Sequence, residues 1–215
     1  MTAGTTASWW DINSDRVLEV AAAILLGLAT FGSAWCAFEA ARWNDEQGAA
    51  TRAATAARFE AGRRFNLGTQ AIGFDASLAA DYARAVAEGQ TELEAFYRDA
   101  LIRPEFLPVI DAWLKQVQSG EAGAANLFED TDYIERQLAD ARRYDTIDEA
   151  ATQRSELASQ NADGYVQLTV FMAIALFFAG MTANFRTPKV RVALLCVSAA
   201  ILVLGVVRIF GLPFT

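Results

Sequence analysis

Trp35, Glu39, Trp43 and Gln47 recur every four residues, with Arg42 and Glu46 beside them. On a helix that spacing lays two indoles, a carboxylate and an amide along one stripe. The chemistry open to the stripe is electrostatic. A carboxylate at the edge of a bilayer can hold or select cations, and acids in such places are functional candidates. Local pairing accounts for the same residues more simply: Arg42 lies three positions after Glu39, and Glu46 lies four after Arg42. The favoured expectation is an ion-paired interfacial anchor; Arg208 is a second candidate partner for Glu39, with snorkelling to the headgroups as its commoner explanation. Asp163, with Asn161, should reach the same level on a later helix, which predicts a contact between Asp163 and Arg42.

Other chemistry is excluded by composition. Histidine is absent, which removes Ser/His/Asp and Cys/His triads, His-ligated zinc or haem, and imidazole switches. The two cysteines, Cys36 and Cys196, fall in different apolar segments at opposite depths. They are expected to be buried, unpaired thiols. The expectation is therefore a non-enzyme with no catalytic, cofactor-binding or metal site and no cofactor.

The elements that would position the stripe are apolar runs. Val20 to Phe38 holds nineteen residues without a charge, Tyr165 to Phe185 twenty-one, and Val192 to Val207 sixteen between Arg191 and Arg208. At about 1.5 Å per residue, roughly twenty helical residues cross about 30 Å of hydrocarbon. The shorter run suffices if its arginines snorkel. Three transmembrane helices are predicted, over 20–42, 165–185 and 192–208. The segment before the first carries Asp11, Asp15 and Glu19 against one Arg, unlike a basic signal peptide, and is expected to remain as a signal-anchor tail over 1–19. Trp9 and Trp10 are expected at headgroup level.

The loop over 186–191 contains Arg186, Lys189 and Arg191 and no acid. The positive-inside rule makes it cytoplasmic. The N-terminus is then cytoplasmic too, and residues 43–164 and the tail over 209–215 are extracytoplasmic. Arg42, Arg52, Arg58, Arg63 and Arg64 argue the other way, but long domains translocate largely regardless of charge. Glu39 to Gly164 holds 23 acids and 13 bases. So acidic a domain repels nucleic acid and anionic lipid headgroups, and neither is expected as its partner.

The connector reads as all-α. A stripe of small and apolar residues, Ala50, Ala54, Ala57, Ala61, Phe65, Gly68 and Ile72, predicts close packing of a first arm against another helix, within the chain or between subunits. A separate helix is predicted over about 71–88, ending at Gly89, and another from Thr91 to near Ile102. After Arg103-Pro104-Glu105-Phe106-Leu107-Pro108 a further helix should run to Ser119 and bury Phe106, Ile110, Trp113 and Val117. Gly120 to Phe128 reads as a loop. Thr131 to Gly164, free of proline, makes a second helical arm. The predicted fold class is thus an all-α membrane protein: three transmembrane helices with a helical-bundle extracytoplasmic domain between the first and second spans.

The segments Trp35-Cys36-Ala37-Phe38-Glu39-Ala40-Ala41-Arg42-Trp43-Asn44, Phe96-Tyr97 with Arg103-Pro104-Glu105-Phe106, Ala112-Trp113-Leu114, and Phe177-Phe178-Ala179-Gly180 resemble a family of uncharacterised bacterial multi-pass membrane proteins. The resemblance spans nearly the whole chain, although Glu39 stands where that family would carry Gln. It implies the architecture and a bacterial inner membrane, and lends no activity. The expected function is a non-enzymatic scaffold or partner-binding subunit, with a homo-oligomeric ion channel or transport pore as the alternative. Expected partners are membrane lipid, further copies of the chain, or another envelope protein.

Overall fold

The computed structural model describes residues 9–120 and 131–214, with side chains from Arg16 onward. The headgroup placement of Trp9 and Trp10 and the loop expected after Gly120 lie outside what it describes. Five α-helices follow in order: α1 Trp9–Ala87, α2 Thr91–Phe96, α3 Leu107–Ser119, α4 Thr131–Met181 and α5 Pro188–Ile209. A π-helical turn, Tyr97–Leu101, extends α2, and a 3-10 turn, Thr182–Asn184, follows α4. The described residues contain no strand, so the fold is all-α.

The four prolines and two glycines explain where helices stop. Pro104 and Pro108 bracket the entry to α3, Pro188 occupies the start of α5, and Pro213 follows its end. Proline is tolerated in a first turn, where its missing N–H costs nothing, and disrupts a helix interior. Gly89 ends the α1 region at φ +67° and Gly120 ends α3 at φ +70°, a left-handed conformation that glycine adopts without steric cost. Between residues 9 and 87 neither device occurs, and α1 continues for 79 residues. The separate helix expected over 71–88 is therefore the end of α1. Gly73 does not break it, because an isolated glycine lowers helix propensity by only about 1 kcal/mol.

Among the described residues three helices are long and apolar enough to cross a membrane: α1, α4 extended through its 3-10 turn, and α5. The hairpin between the last two is tighter than 186–191, since α5 already begins at Pro188. The chain divides into two compact units. One comprises the chain up to Thr51 and from Thr152 onward, and the other runs from Arg52 to Ala151.

In the first unit the apolar segments pack through small residues. Ala29 of α1, Ala175 of α4 and Leu202 of α5 form one buried cluster. Met172 of α4 lies against two glycines: a Cβ on Gly32 would stand 3.1 Å from its sulfur, and one on Gly205 would stand 2.5 Å from its methyl carbon. Ser198 donates to the Ala175 carbonyl at 2.8 Å in a buried interhelical hydrogen bond. Small residues at helix contacts and hydroxyl-to-backbone bonds are what association in hydrocarbon requires, because lipid offers no hydrophobic drive between helices. Leu195, Ser198, Leu202 and Gly205 are the buried line of α5. Cys196, adjacent to that line, is exposed, whereas Cys36 is buried; both are free thiols.

In the second unit Ala54, Ala57, Ala61 and Gly68 are buried. A Cβ at Gly68 would come within 2.6 Å of the Gln137 carbonyl oxygen, so the backbones of α1 and α4 touch there. The small-residue stripe packs within the chain. Phe65 departs from it and is exposed. The aromatic core of this unit joins Ala79, Tyr82, Ile102, Phe106, Val109, Ile110 and Tyr133. Trp113 packs edge-on to Tyr82 at its margin. Val117, expected inside, is exposed; the buried residues of α3 are Val109 and Ile110 in its first turn. The helices are antiparallel: Arg58 pairs with Asp148 and Arg64 with Asp140.

Candidate functional site

The residues singled out in the sequence gather in the first unit, but they divide between two faces of α1. Glu39 is only 2% exposed. It adjoins the buried cluster of Cys36, Ala40, Tyr165 and Leu168, against which Trp43, Ile209 and Leu212 pack. Its carboxylate interacts electrostatically with Tyr165. Above it the chain after α5 folds back. Trp43 Nε1 donates to the Pro213 carbonyl at 3.2 Å, and Tyr165 Oη donates to the same oxygen at 3.1 Å. A carbonyl oxygen has two lone pairs and accepts both. Gly164 makes room for the tail, since a Cβ there would stand 3.1 Å from a Leu212 methyl.

Trp35 and Arg42 face outward. Trp35 is 40% exposed and lies 6.1 Å from Phe38, centroid to centroid. Arg42 places its guanidinium 5.8 Å from the Phe38 ring centre, within the range of a cation–π contact. This outer row, at positions 35, 38 and 42, has the amphipathic character of a membrane-interface belt. Glu46, expected beside Arg42 in a local ladder, pairs with Arg154 of α4 at 2.6 Å. Asp163 is exposed, and the expected contact with Arg42 is not among the ion pairs of the described residues. The reason is rotational, since Asp163 follows the buried Ala162 by one residue and points about 100° away from it. Arg208 is exposed at the end of α5, lining a shallow cavity with Gly164, Leu168 and Leu212.

A second polar constellation escaped the sequence. In the unit from Arg52 to Ala151, Asp75 of α1 is 1% exposed. Arg103 clasps it with both guanidinium branches, Nε donating to Oδ1 at 2.9 Å and a terminal nitrogen to Oδ2. Tyr133 Oη donates to Oδ2 of Asp75 and accepts from Arg103 at 3.0 Å. The Asp75 carboxylate raises the Arg103 pKa. Burial, then the Asp75 carboxylate, holds the Tyr133 phenol well above its ordinary value of 10.0. Three segments distant in sequence are thereby fastened together, the Arg-Pro-Glu-Phe junction supplying Arg103 and the core residue Phe106. A signal was present: Asp75 interrupts the otherwise apolar row Ile72, Ala79, Tyr82, and a lone acid at a core position needs a cation.

Nearby, Tyr82 donates to Glu94 at 3.2 Å, and Arg98 pairs with Asp111 at 2.7 Å. Burial raises the Tyr82 pKa. Among the described residues no group of three or more His, Cys, Asp or Glu side chains could hold a metal ion. These arrangements position helices and the C-terminal tail. The chain matches no protein-family model, no curated protein and no solved structure.

Proposed function

We propose that the chain is a non-enzymatic scaffold or partner-binding subunit of a bacterial inner membrane, anchored by α1, α4 and α5, with residues 43–164 held on the extracytoplasmic side. The observation that carries this reading is an apolar face left uncovered outside the spans. Phe59, Leu67 and Phe74 of α1 are 75%, 50% and 55% exposed, and their spacing of eight and seven residues puts them on one side of the helix. Three large apolar side chains exposed on one side of a helix outside the spans support our reading of that side as an interaction surface. Phe96 and Phe65 add exposed aromatic surface to the same unit.

The sidedness follows from the cations at 186, 189 and 191. The competing arginines of the first arm belong to a long folded segment, where Arg58, Arg63 and Arg64 have carboxylate partners, and such segments cross with little regard to charge. The burial of Glu39 within its own chain supports the scaffold reading over the alternative of a homo-oligomeric pore lined by a carboxylate ring.

A photo-crosslinking side chain placed at Phe59 or Phe74 in native membranes tests the reading. A heterologous envelope protein captured in stoichiometric amount, and lost in Phe59→Ser/Phe74→Ser, is expected. Recovery of the chain alone would replace the scaffold with a homo-oligomer.

A further inference from the structure

In the first unit a cavity of about 570 Å³ opens where α1 enters its apolar run and α4 turns into α5. Its volume lies in the roughly 300–1,000 Å³ range of small-molecule sites. One wall is Ala22 and Ala23 of α1, the other includes Gly180 of α4, and its charged groups are Glu19, Arg186 and Arg191. Arg191 has a side chain only 13% exposed, and its terminal nitrogen stands 4.0 Å from the Glu19 carboxylate.

Two features make this end electropositive beyond what Glu19 offsets. Arg186, Lys189 and Arg191 crowd into six residues. Two of them occupy the first turn of α5, where the helix dipole already presents a partial positive charge and favours anions. Cations at a helix N-terminus repel that dipole unless an anion joins them. Guanidinium groups match phosphate geometry through paired hydrogen bonds. The cavity's remaining lining is small or apolar apart from the Thr182 hydroxyl, with Ala22, Ala23 and Leu26 facing Ala179, Ala183 and Phe185, and it lies at the boundary of the apolar runs, where a lipid headgroup would meet its acyl chains.

We propose that this cavity binds a phosphate group, and that the source is an anionic phospholipid whose phosphodiester sits between Arg186 and Arg191 while its chains follow the α1 and α4 walls. Basic pockets between membrane helices are suited to such headgroups. The inference rests on the membrane embedding of α1, α4 and α5 and is independent of the scaffold role. A carbonate wash that released the chain from membranes would sink the embedding itself; failure to retain lipid in membrane-extracted protein would sink this inference alone.

A Cβ added at Gly180 meets no atom within 4 Å, so Gly180→Leu can extend a side chain from the cavity lining without moving the helix backbone. Arg186 is exposed, so Arg186→Gln removes a charge without leaving a hole. The full-length chain, extracted in mild detergent, is supplied with phosphatidylglycerol, phosphatidylcholine or inorganic phosphate, then examined by native mass spectrometry and thermal melting. One phosphatidylglycerol per chain and a raised Tm are expected, with neither effect from the other two probes. Arg186→Gln should weaken retention roughly tenfold, as expected for loss of one charge-assisted contact, and Gly180→Leu should weaken it at least as much by occupying lipid space, while both variants melt normally without lipid. Equal retention of phosphatidylcholine, stabilisation by inorganic phosphate alone, or undiminished phosphatidylglycerol binding in both variants would overturn it.

Discussion

The two units are held together by opposite means. The unit containing the apolar spans relies on smallness: Ala29, Ala175, Gly32 and Gly205 let helices approach, and Met172 fills the space between glycines. The unit from Arg52 to Ala151 combines an aromatic core with a buried ion pair, Asp75 with Arg103, completed by Tyr133. Helices surrounded by lipid gain little from burying apolar area and must gain from close contact and interhelical hydrogen bonds. A helical domain in water gains from burying area, and its polar groups then fix which segments meet.

The comparison breaks most sharply at Asp75. Asp75→Ala leaves Arg103 without its carboxylate and should destabilise the Arg52–Ala151 unit by about 3–5 kcal/mol, the usual effect of removing one partner of a buried pair. Hydrogen exchange resolved by segment checks this, with protection lost over 52–120 and 131–151 and retained in the spans. Uniform loss in both units would show that they do not behave differently.

The glycines sharpen it further. At Gly68 a new methyl meets the backbone of Gln137, which cannot step aside, so Gly68→Ala should cost about 1–3 kcal/mol as overpacking. At Gly205 the obstacle is the flexible end of Met172, and the gain in helix propensity of about 1 kcal/mol offsets much of the displacement. Gly205→Ala should therefore lie near neutral, although its unoccupied space is nominally as small. Chemical denaturation of both variants beside the parent distinguishes backbone from side-chain obstruction.

The smallest effects are in pH dependence, and they belong to the Arg52–Ala151 unit. The folded state holds the Tyr133 phenol above its ordinary value of 10.0. Its stabilising contribution is complete below pH 10 and is lost as pH rises beyond it. At the other extreme, Arg63 and then Arg64 hold Glu60 down from 4.5 to about 2. That contribution is present above pH 4.5 and lost as pH falls toward 2, and solvent screening keeps it small. Absorbance titration of tyrosinate should find Tyr133 ionising late in the parent and at an ordinary pH once the chain is unfolded.

Much of the architecture was legible. The three apolar runs, the helical connector, the proline-bounded entry to α3 and the small-residue stripe depend on local composition and period. Helix breaks were read too freely at 71, where neither proline nor a left-handed glycine stands. The candidate site was legible only as a set of residues. Trp35, Glu39, Arg42 and Trp43 share a segment, yet which of them turns inward depends on what packs opposite, namely Tyr165, Leu168 and the returning tail at Leu212 and Pro213.

Sequence alone determined that this chain has three segments too apolar and too long for ordinary core helices, an acidic helical insert between the first and second, and no histidine chemistry. Those are sums and periods over neighbouring residues, and no distant partner alters them. Only the tertiary structure decided that Glu39 is enclosed by its own chain, that Asp75 binds Arg103 and Tyr133, and that Arg186 and Arg191 share a cavity with Glu19. Each depends on side chains separated by tens to more than a hundred positions, whose meeting is fixed by helix rotation and register, and those are set by the packing of whole helices against one another.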